Sequence, residues 1–168
     1  GGKTEAYLGL SAFSMFLRRL RNPQDTGVDV VMRYTLRLLT AQQFQRAAGL
    51  ICSMEYLRRQ NRQNRQNRQT LGGDAFTIGI WVGGDTTPNS RADAVTALNA
   101  LRRNPARADN PFVLTKCPWC AAQIGPLDLP QNVPAAVPKV VGYERQGGTV
   151  VFRCSDPSCD FSDQLPIF

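Results

Sequence analysis

Residues 1–21 read GGKTEAYLGLSAFSMFLRRLR, and their first letters decide how the rest of the chain is organised. Gly2-Lys3-Thr4 is the closing part of a phosphate-binding loop, G-x-x-x-x-G-K-[ST], and it runs straight into a helical pattern. Each residue type has a task in that chemistry. Glycine lets backbone N–H groups close on phosphate oxygens. A lysine ammonium reaches the β- and γ-phosphates, and a threonine hydroxyl ligates Mg2+. The helix that follows aims its positive dipole end at the anion. Three letters also occur by chance; a GKT that opens an amphipathic helix leading to a buried strand is the stronger pattern. Gly1, Gly2, Lys3 and Thr4 are therefore the candidate ATP and Mg2+ residues.

Working outward, Leu8, Phe13, Phe16, Leu17 and Leu20 recur at helical spacing over 4–21, and Arg18, Arg19 and Arg21 crowd the last turn, where cations suit the dipole. NPQDTG (22–27) breaks the helix. VDVVMRY (28–34) is a β-branched run, a buried strand candidate. Thr40 is placed to cap a long helix from Ala41 to about Arg59. FTIGIWV (76–82) is a second strand candidate, and RADAVTALNALRR (91–103) a third helix with Ala94, Leu98 and Leu101 on one face. Alternating helices and strands predict an α/β fold, a parallel sheet flanked by helices.

After Asn104 the texture changes. Prolines are frequent, and VPKVVGYERQGGTVVFRC (137–154) predicts two short strands around a Gln146-Gly147-Gly148 turn. Cys117-Pro118-Trp119-Cys120 and, 33 residues later, Cys154-x4-Cys159 form two short hooks. Two hooks separated by a hairpin-sized spacer build a tetrahedral four-thiolate zinc ribbon. The metal then stabilises a module too small to fold on its core alone. Cys117, Cys120, Cys154 and Cys159 are the expected ligands of a structural Zn2+, with two disulfides as the alternative. Cys52, in an apolar helix, reads as a buried small hydrophobe. Trp119 either covers the small core or stacks on a base.

The bulk numbers narrow the function classes. The 168 residues carry a net charge of +7, and 17 of the 20 basic residues are Arg. That balance favours polyanionic partners, and Arg suits bidentate phosphate contact. A genome that writes Arg for Lys gives the same skew. No apolar run approaches a membrane span of about 20 residues, so no membrane partner is expected and a cytoplasmic location is the default. The tandem Asn-Arg-Gln triplets of 61–69 would wind their arginines around a helix rather than align them. They read as a solvated expansion, with a phosphate-touching extension as the alternative.

RYTLRLLTAQQFQRAA (33–48) puts Arg33, Thr35 and Arg37 at a strand end and the following turn, where parallel strands face their ligand. Taken in order, GGKTEAYLGL, RYTLRLLTAQQFQRAA and WVGG (81–84) resemble the first RecA-like domain of superfamily 2 (DEAD/DEAH-like) helicases. More narrowly they resemble the helicase subunits of the DISARM phage-defence system, which carry a cysteine-rich insert. The resemblance implies a partial RecA-like domain over 1–104, a zinc-ribbon insert over 105–163, and at 164–168 the start of a strand towards the acidic motif II. It implies that Gly2, Lys3 and Thr4 bind ATP and Mg2+, and that Arg33, Thr35, Arg37, Gly83 and Gly84 lie along a DNA or RNA strand. Other subunits of a defence complex are implied partners.

The departures are specific. No Asp-Glu pair follows an apolar strand; Asp160-Phe161-Ser162-Asp163 has the acids but sits in the cysteine module. Without the motif II carboxylates, and without the arginine of a second domain, the 168 residues alone are expected to hydrolyse ATP hardly at all. The expectation is part of an ATP-dependent helicase or translocase. The alternative is a non-catalytic, zinc-stabilised module that binds nucleic acid or protein.

Overall fold

A computed structural model describes residues 2–33, 37–63, 70–82, 87–127 and 139–168, with the side chains of 37–40 left out of the description. The chain divides into an N-terminal unit, 1–78, and a C-terminal unit, 79–168.

The N-terminal unit is two helices and an irregular tail. Helix α1 spans Lys3–Arg21 and ends where Asn22 turns to extended backbone, its N–H donating to the Arg18 carbonyl. Helix α2 spans Arg37–Gln63, so Thr40 lies inside it rather than capping it. The Leu38-Leu39 pair before Thr40 favours helix, and the helix starts a turn earlier than the cap chemistry alone suggests. Ile51 and Met54 of α2 meet Phe76 in the core, with Ala12, Met15, Phe16, Leu50 and Ile78 packed around them. Phe16 and Phe76 meet edge to face at 5.4 Å.

Two buried arginines fasten the tail to these helices. Arg19 of α1 donates through Nη1 to the carbonyls of Leu71 (3.1 Å) and Asp74 (2.6 Å), and its guanidinium lies 4.7 Å from the centre of the Phe76 ring. Arg58 of α2 grips Glu55 with both Nε and Nη2 at 2.7 Å and reaches the Gly72 and Gly73 carbonyls. The other calls on Glu55 are the Phe76 N–H at 3.1 Å and Arg59 Nε at 3.0 Å. Burial raises the Glu55 pKa, but these donors outweigh it and hold the carboxyl below its usual range. At Gly72 (φ 77) a Cβ would stand 2.1 Å from the Pro23 carbonyl oxygen, so only glycine lets the tail lie this close to the turn after α1.

In the C-terminal unit, Ser90 caps helix α3 (Arg91–Arg103) by accepting the Asp93 N–H, while the Asp93 carboxylate accepts the Ser90 hydroxyl. The strands are short: β1 (Gly125–Pro126) pairs antiparallel with β2 (Val140–Val141), and β3 (Tyr143–Gln146) with β4 (Thr149–Phe152). Gly147, at φ 58, makes the expected hairpin turn. Helix α3, which the sequence assigns to the first domain, packs on β4 and buries Leu98 and Leu101. Tyr143 is the centre of this core. Its ring contacts Phe112 and Phe152, its hydroxyl donates to the Leu114 carbonyl (2.6 Å) and accepts from Asn110 (3.0 Å), and burial pushes its pKa up to about 12. Phe168 lies against Gly79, where a Cβ would meet its ring at 2.8 Å.

The expected parallel sheet does not form among the described residues, whose ladders are all antiparallel. Residues 28–33 have no regular secondary structure, and 76–82 hold a single bridge residue, Ile78, rather than a strand. A strand of a parallel sheet is buried on both faces. Here Val28 and Val31 are 77% and 85% exposed, and Trp81 is 98% exposed. No helix among the described residues is long and apolar enough to cross a membrane.

Candidate metal centre

Each cysteine pair rides on a turn that the backbone closes. In the first, the Cys117 N–H donates to the Ala122 carbonyl (2.8 Å) and the Ala121 N–H to the Cys117 carbonyl (2.9 Å). Ala121 takes φ 65, a left-handed value that no other non-glycine adopts among the described residues. In the second, the Cys154 N–H donates to the Phe161 carbonyl (2.9 Å), and the Ser162 N–H to the Cys159 carbonyl (3.0 Å). The Asp156 carboxylate accepts the Ser158 N–H and hydroxyl, which shapes the four residues between the cysteines. Strand β4 feeds directly into this second turn.

The two turns bring Cys117, Cys120, Cys154 and Cys159 together, every sulfur within 4.8 Å of every other. Cys120 and Cys154 are nearest, Sγ to Sγ 3.3 Å. A regular tetrahedron with Zn–S of about 2.3 Å sets its sulfurs about 3.8 Å apart, so the cluster can hold such an ion with small movements. All four donors are sulfur and the chain has no His, a soft set that suits zinc. Four protein ligands would close the coordination sphere, the arrangement of a structural rather than a catalytic site.

Burial pushes the Cys154 thiol well up, and takes Cys159 up to about 11. For Cys120 burial also acts upward, but the Ala122 N–H and the neighbouring thiols outweigh it and lower the pKa. Burial thus favours the protonated form of Cys154 and Cys159. A dication would displace those protons. Cys120 is also the exposed member; the other three are buried.

A latch outside the sulfurs ties the two turns together. The Trp119 indole N–H donates to Asp160 Oδ2 at 3.0 Å, and its ring meets Phe161 edge to face at 5.5 Å. Of the two roles open to Trp119, covering the small core is the one these contacts describe. They also give Asp160, left aside as an incidental acid, a partner. The signal for it was its place directly after Cys159.

Of the other sequence-predicted residues, the structure describes Gly2, Lys3, Thr4, Arg33 and Arg37. Gly2 is in left-handed backbone (φ 57) ahead of α1, no side chain caps that helix, and the Ala6 N–H bonds the Gly2 carbonyl. Lys3 is exposed and Thr4 half-buried at its start. Glu5 pairs with Arg46 of α2, which joins the two helices. Arg33 is exposed, and Arg37 opens α2. Gly1, Thr35, Gly83 and Gly84 lie outside the described residues, as do Arg65 and Arg68 of the Asn-Arg-Gln repeat. Sequence reasoning passed over Glu55 and Arg58, although an E-x-x-R pair on one helix face is a readable signal.

No family model matches the chain, and no solved structure does. Over its whole length it is similar to DISARM protein DrmA of Bacillus paralicheniformis, with 33% identity across 178 aligned positions. The chain spans about 15% of that protein's length.

Proposed function

We propose that the chain is a zinc-stabilised part of a DISARM-type phage-defence protein that uses ATP to move on or remodel nucleic acid, as a helicase or translocase does. The observation that carries the zinc part is the convergence of four sulfurs from two turns 33 residues apart. Similarity over the full length to a DISARM protein supports the defence setting, with other subunits of such a system as partners. In this reading Cys117, Cys120, Cys154 and Cys159 hold a structural Zn2+, and the ion contributes folding energy rather than chemistry. The RecA-like domain over 1–104, the zinc-ribbon insert over 105–163 and a cytoplasmic location belong to the same proposal.

Gly1, Gly2, Lys3 and Thr4 are proposed to hold the ATP phosphates and Mg2+. Left-handed backbone at Gly2, a helix start without a side-chain cap and an exposed lysine support this assignment. Arg33, Thr35, Arg37, Gly83 and Gly84 are proposed to line a DNA or RNA strand. Charge supports a polyanion on the N-terminal side. Residues 1–78 hold 12 basic and 5 acidic residues, the whole of the +7 excess, while 79–168 hold eight of each. Four of the five acids of 1–78 are already ion-paired, Glu5 by Arg46, Asp25 and Asp29 by Arg18, Glu55 by Arg58 and Arg59, and the fifth, Asp74, acts on Arg58 from farther off.

A second reading, a zinc-stabilised interaction module without catalysis, is favoured by the closed four-thiolate geometry, which offers no open position for a substrate. One experiment separates the two. In the defence protein that carries this segment, Lys3→Ala should lower nucleic-acid-stimulated ATP hydrolysis at least tenfold while zinc stays near one per chain. Hydrolysis unchanged by Lys3→Ala overturns the ATP assignment and leaves the module.

A further inference from the structure

We propose that Cys120 is an oxidant-sensing thiolate, and that hydrogen peroxide links it to Cys154 and expels the zinc. This rests on the structural-zinc reading above and adds a modification site to it. Three observations set Cys120 apart. It is the exposed member of the cluster, whereas Cys117, Cys154 and Cys159 are buried. Its sulfur lies 3.3 Å from that of Cys154, so a resolving thiol is already in place. The turn that carries it places left-handed Ala121 immediately after it, and the Cys117–Ala122 hydrogen bonds hold that turn shut beneath the exposed sulfur.

The chemistry balances with peroxide as the sole oxidant. The Cys120 Sγ lone pair attacks one peroxide oxygen; an S–O bond forms, the O–O bond breaks and hydroxide leaves. The sulfur has lost two electrons and the peroxide has gained them. The resulting sulfenic acid is susceptible to a neighbouring thiolate. Cys154 Sγ then attacks Cys120 Sγ; the S–S bond forms, the S–O bond breaks and a second hydroxide leaves. In sum, two thiolates and one peroxide give one disulfide and two hydroxides. A disulfide needs sulfurs about 2.05 Å apart, so the pair must close by roughly 1.3 Å from its present separation. The ion is left with Cys117 and Cys159 alone, two ligands instead of four, and dissociates. A dithiol reductant restores both thiolates and the capacity to rebind.

Of the three buried cysteines, Cys154 is the one whose sulfur the structure places 3.3 Å from that of Cys120. Cys117 is also close to Cys120 in sequence, but it is covered on its own turn, and its N–H and C=O are both committed there. A Cys117–Cys120 disulfide would leave those backbone hydrogen bonds intact and is the competing outcome. Oxidation across the hooks joins two turns that the Trp119–Asp160 hydrogen bond already holds together.

The test uses the zinc-loaded 168-residue chain, with glutathione at equal thiol concentration as the free-thiol control. Zinc release is followed with a chromogenic chelator during peroxide treatment, and disulfides are mapped by peptide mass spectrometry. The expected result is release of at least 80% of the zinc, a dominant Cys120–Cys154 disulfide, and recovery of binding after dithiothreitol. Cys120→Ser, which keeps three thiolates and a hydroxyl, should slow release at least tenfold. Should that variant fail to hold zinc, the disulfide map of the wild-type chain still decides. Zinc retained under conditions that oxidise the glutathione, or a dominant Cys117–Cys120 disulfide, overturns the proposal and leaves the zinc reading standing. Protein that holds no zinc before peroxide is added removes both.

Discussion

The two units solve one problem, how to hold an irregular segment in place, by opposite means. In the N-terminal unit the segment 70–76 is held by buried charge: Arg19 and Arg58 reach four carbonyls, and Glu55 balances the second arginine. In the C-terminal unit the turns around 117–122 and 154–162 are held by four sulfurs, an aromatic core at Tyr143 and the Trp119 latch. The first device is expensive to break because each partner is buried against the other. Removing one leaves an uncompensated charge in a site that water does not reach. The second is expensive to break only when a metal occupies it, since four thiols without a cation to bind them hold little together. The comparison therefore predicts two units that fail under different insults.

The largest effect should come from the metal. Stripping zinc with a strong chelator, or replacing Cys154 with Ala, should abolish hydrogen-exchange protection over 114–126 and 143–165. Structural zinc carries on the order of 10 kcal/mol of apparent binding free energy in small modules. Protection in α1 and α2 should stay within a factor of three of the untreated chain. Loss of protection in both units together would show that they do not fail separately.

Next comes Glu55→Ala. Breaking a buried ion pair by removing one partner costs about 3–5 kcal/mol, and here Arg58 would be left beside backbone carbonyls with the more distant Asp74 as its counter-charge. Denaturant unfolding followed by hydrogen exchange in α2 and 70–76 should register that loss, with the zinc content unchanged. The same carboxylate sets an acid limit. Its folded-state pKa is depressed against the upward push of burial, so its contribution is complete above the unfolded value of about 4.3. The contribution is lost as pH falls through the lower folded value. Stability of the N-terminal unit should then be flat from pH 7 to 5 and fall below 4. If the mutant unfolds with the wild-type midpoint, the Glu55–Arg58 pair is not what holds the tail.

What could be read beforehand follows the same division. The gathering of the four cysteines was legible because metal-binding chemistry needs one residue type at two short spacings, and cysteine is rare enough for spacing to carry meaning. The helices were legible from apolar periodicity, and α3 from its Ala94, Leu98 and Leu101 face. Glu55 and Arg58 were not legible as a clamp, because on an Arg-rich helix such a pair looks like any solvated i, i+3 pair. Burial alone distinguishes it, and burial comes from Phe76 and Leu71, residues folded back from beyond the Asn-Arg-Gln repeat. The β-branched runs at 28–34 and 76–82 misled for a related reason. Strand propensity describes a surface that fits against neighbours, and the described residues supply Val28, Val31 and Trp81 with no such neighbours.

The smallest effect concerns Ala121, where the first cysteine turn departs from the ordinary rules of backbone conformation. At φ 65 an alanine Cβ crowds its own carbonyl, a strain of roughly 1–2 kcal/mol that glycine does not feel. Glycine in turn costs about 0.5–1 kcal/mol through its greater freedom in the unfolded chain. The difference leaves Ala121→Gly stabilising by about 0.5 kcal/mol, which for a unit of this size raises the melting temperature by about 3 °C. The gain should appear in the zinc-loaded C-terminal unit and shrink after chelation, because an ion shared by Cys117 and Cys120 adds to the hydrogen bonds that close the turn. A gain of equal size in the metal-free protein would mean that the backbone hydrogen bonds of the turn fix Ala121 by themselves, and that the ion binds a hook already formed.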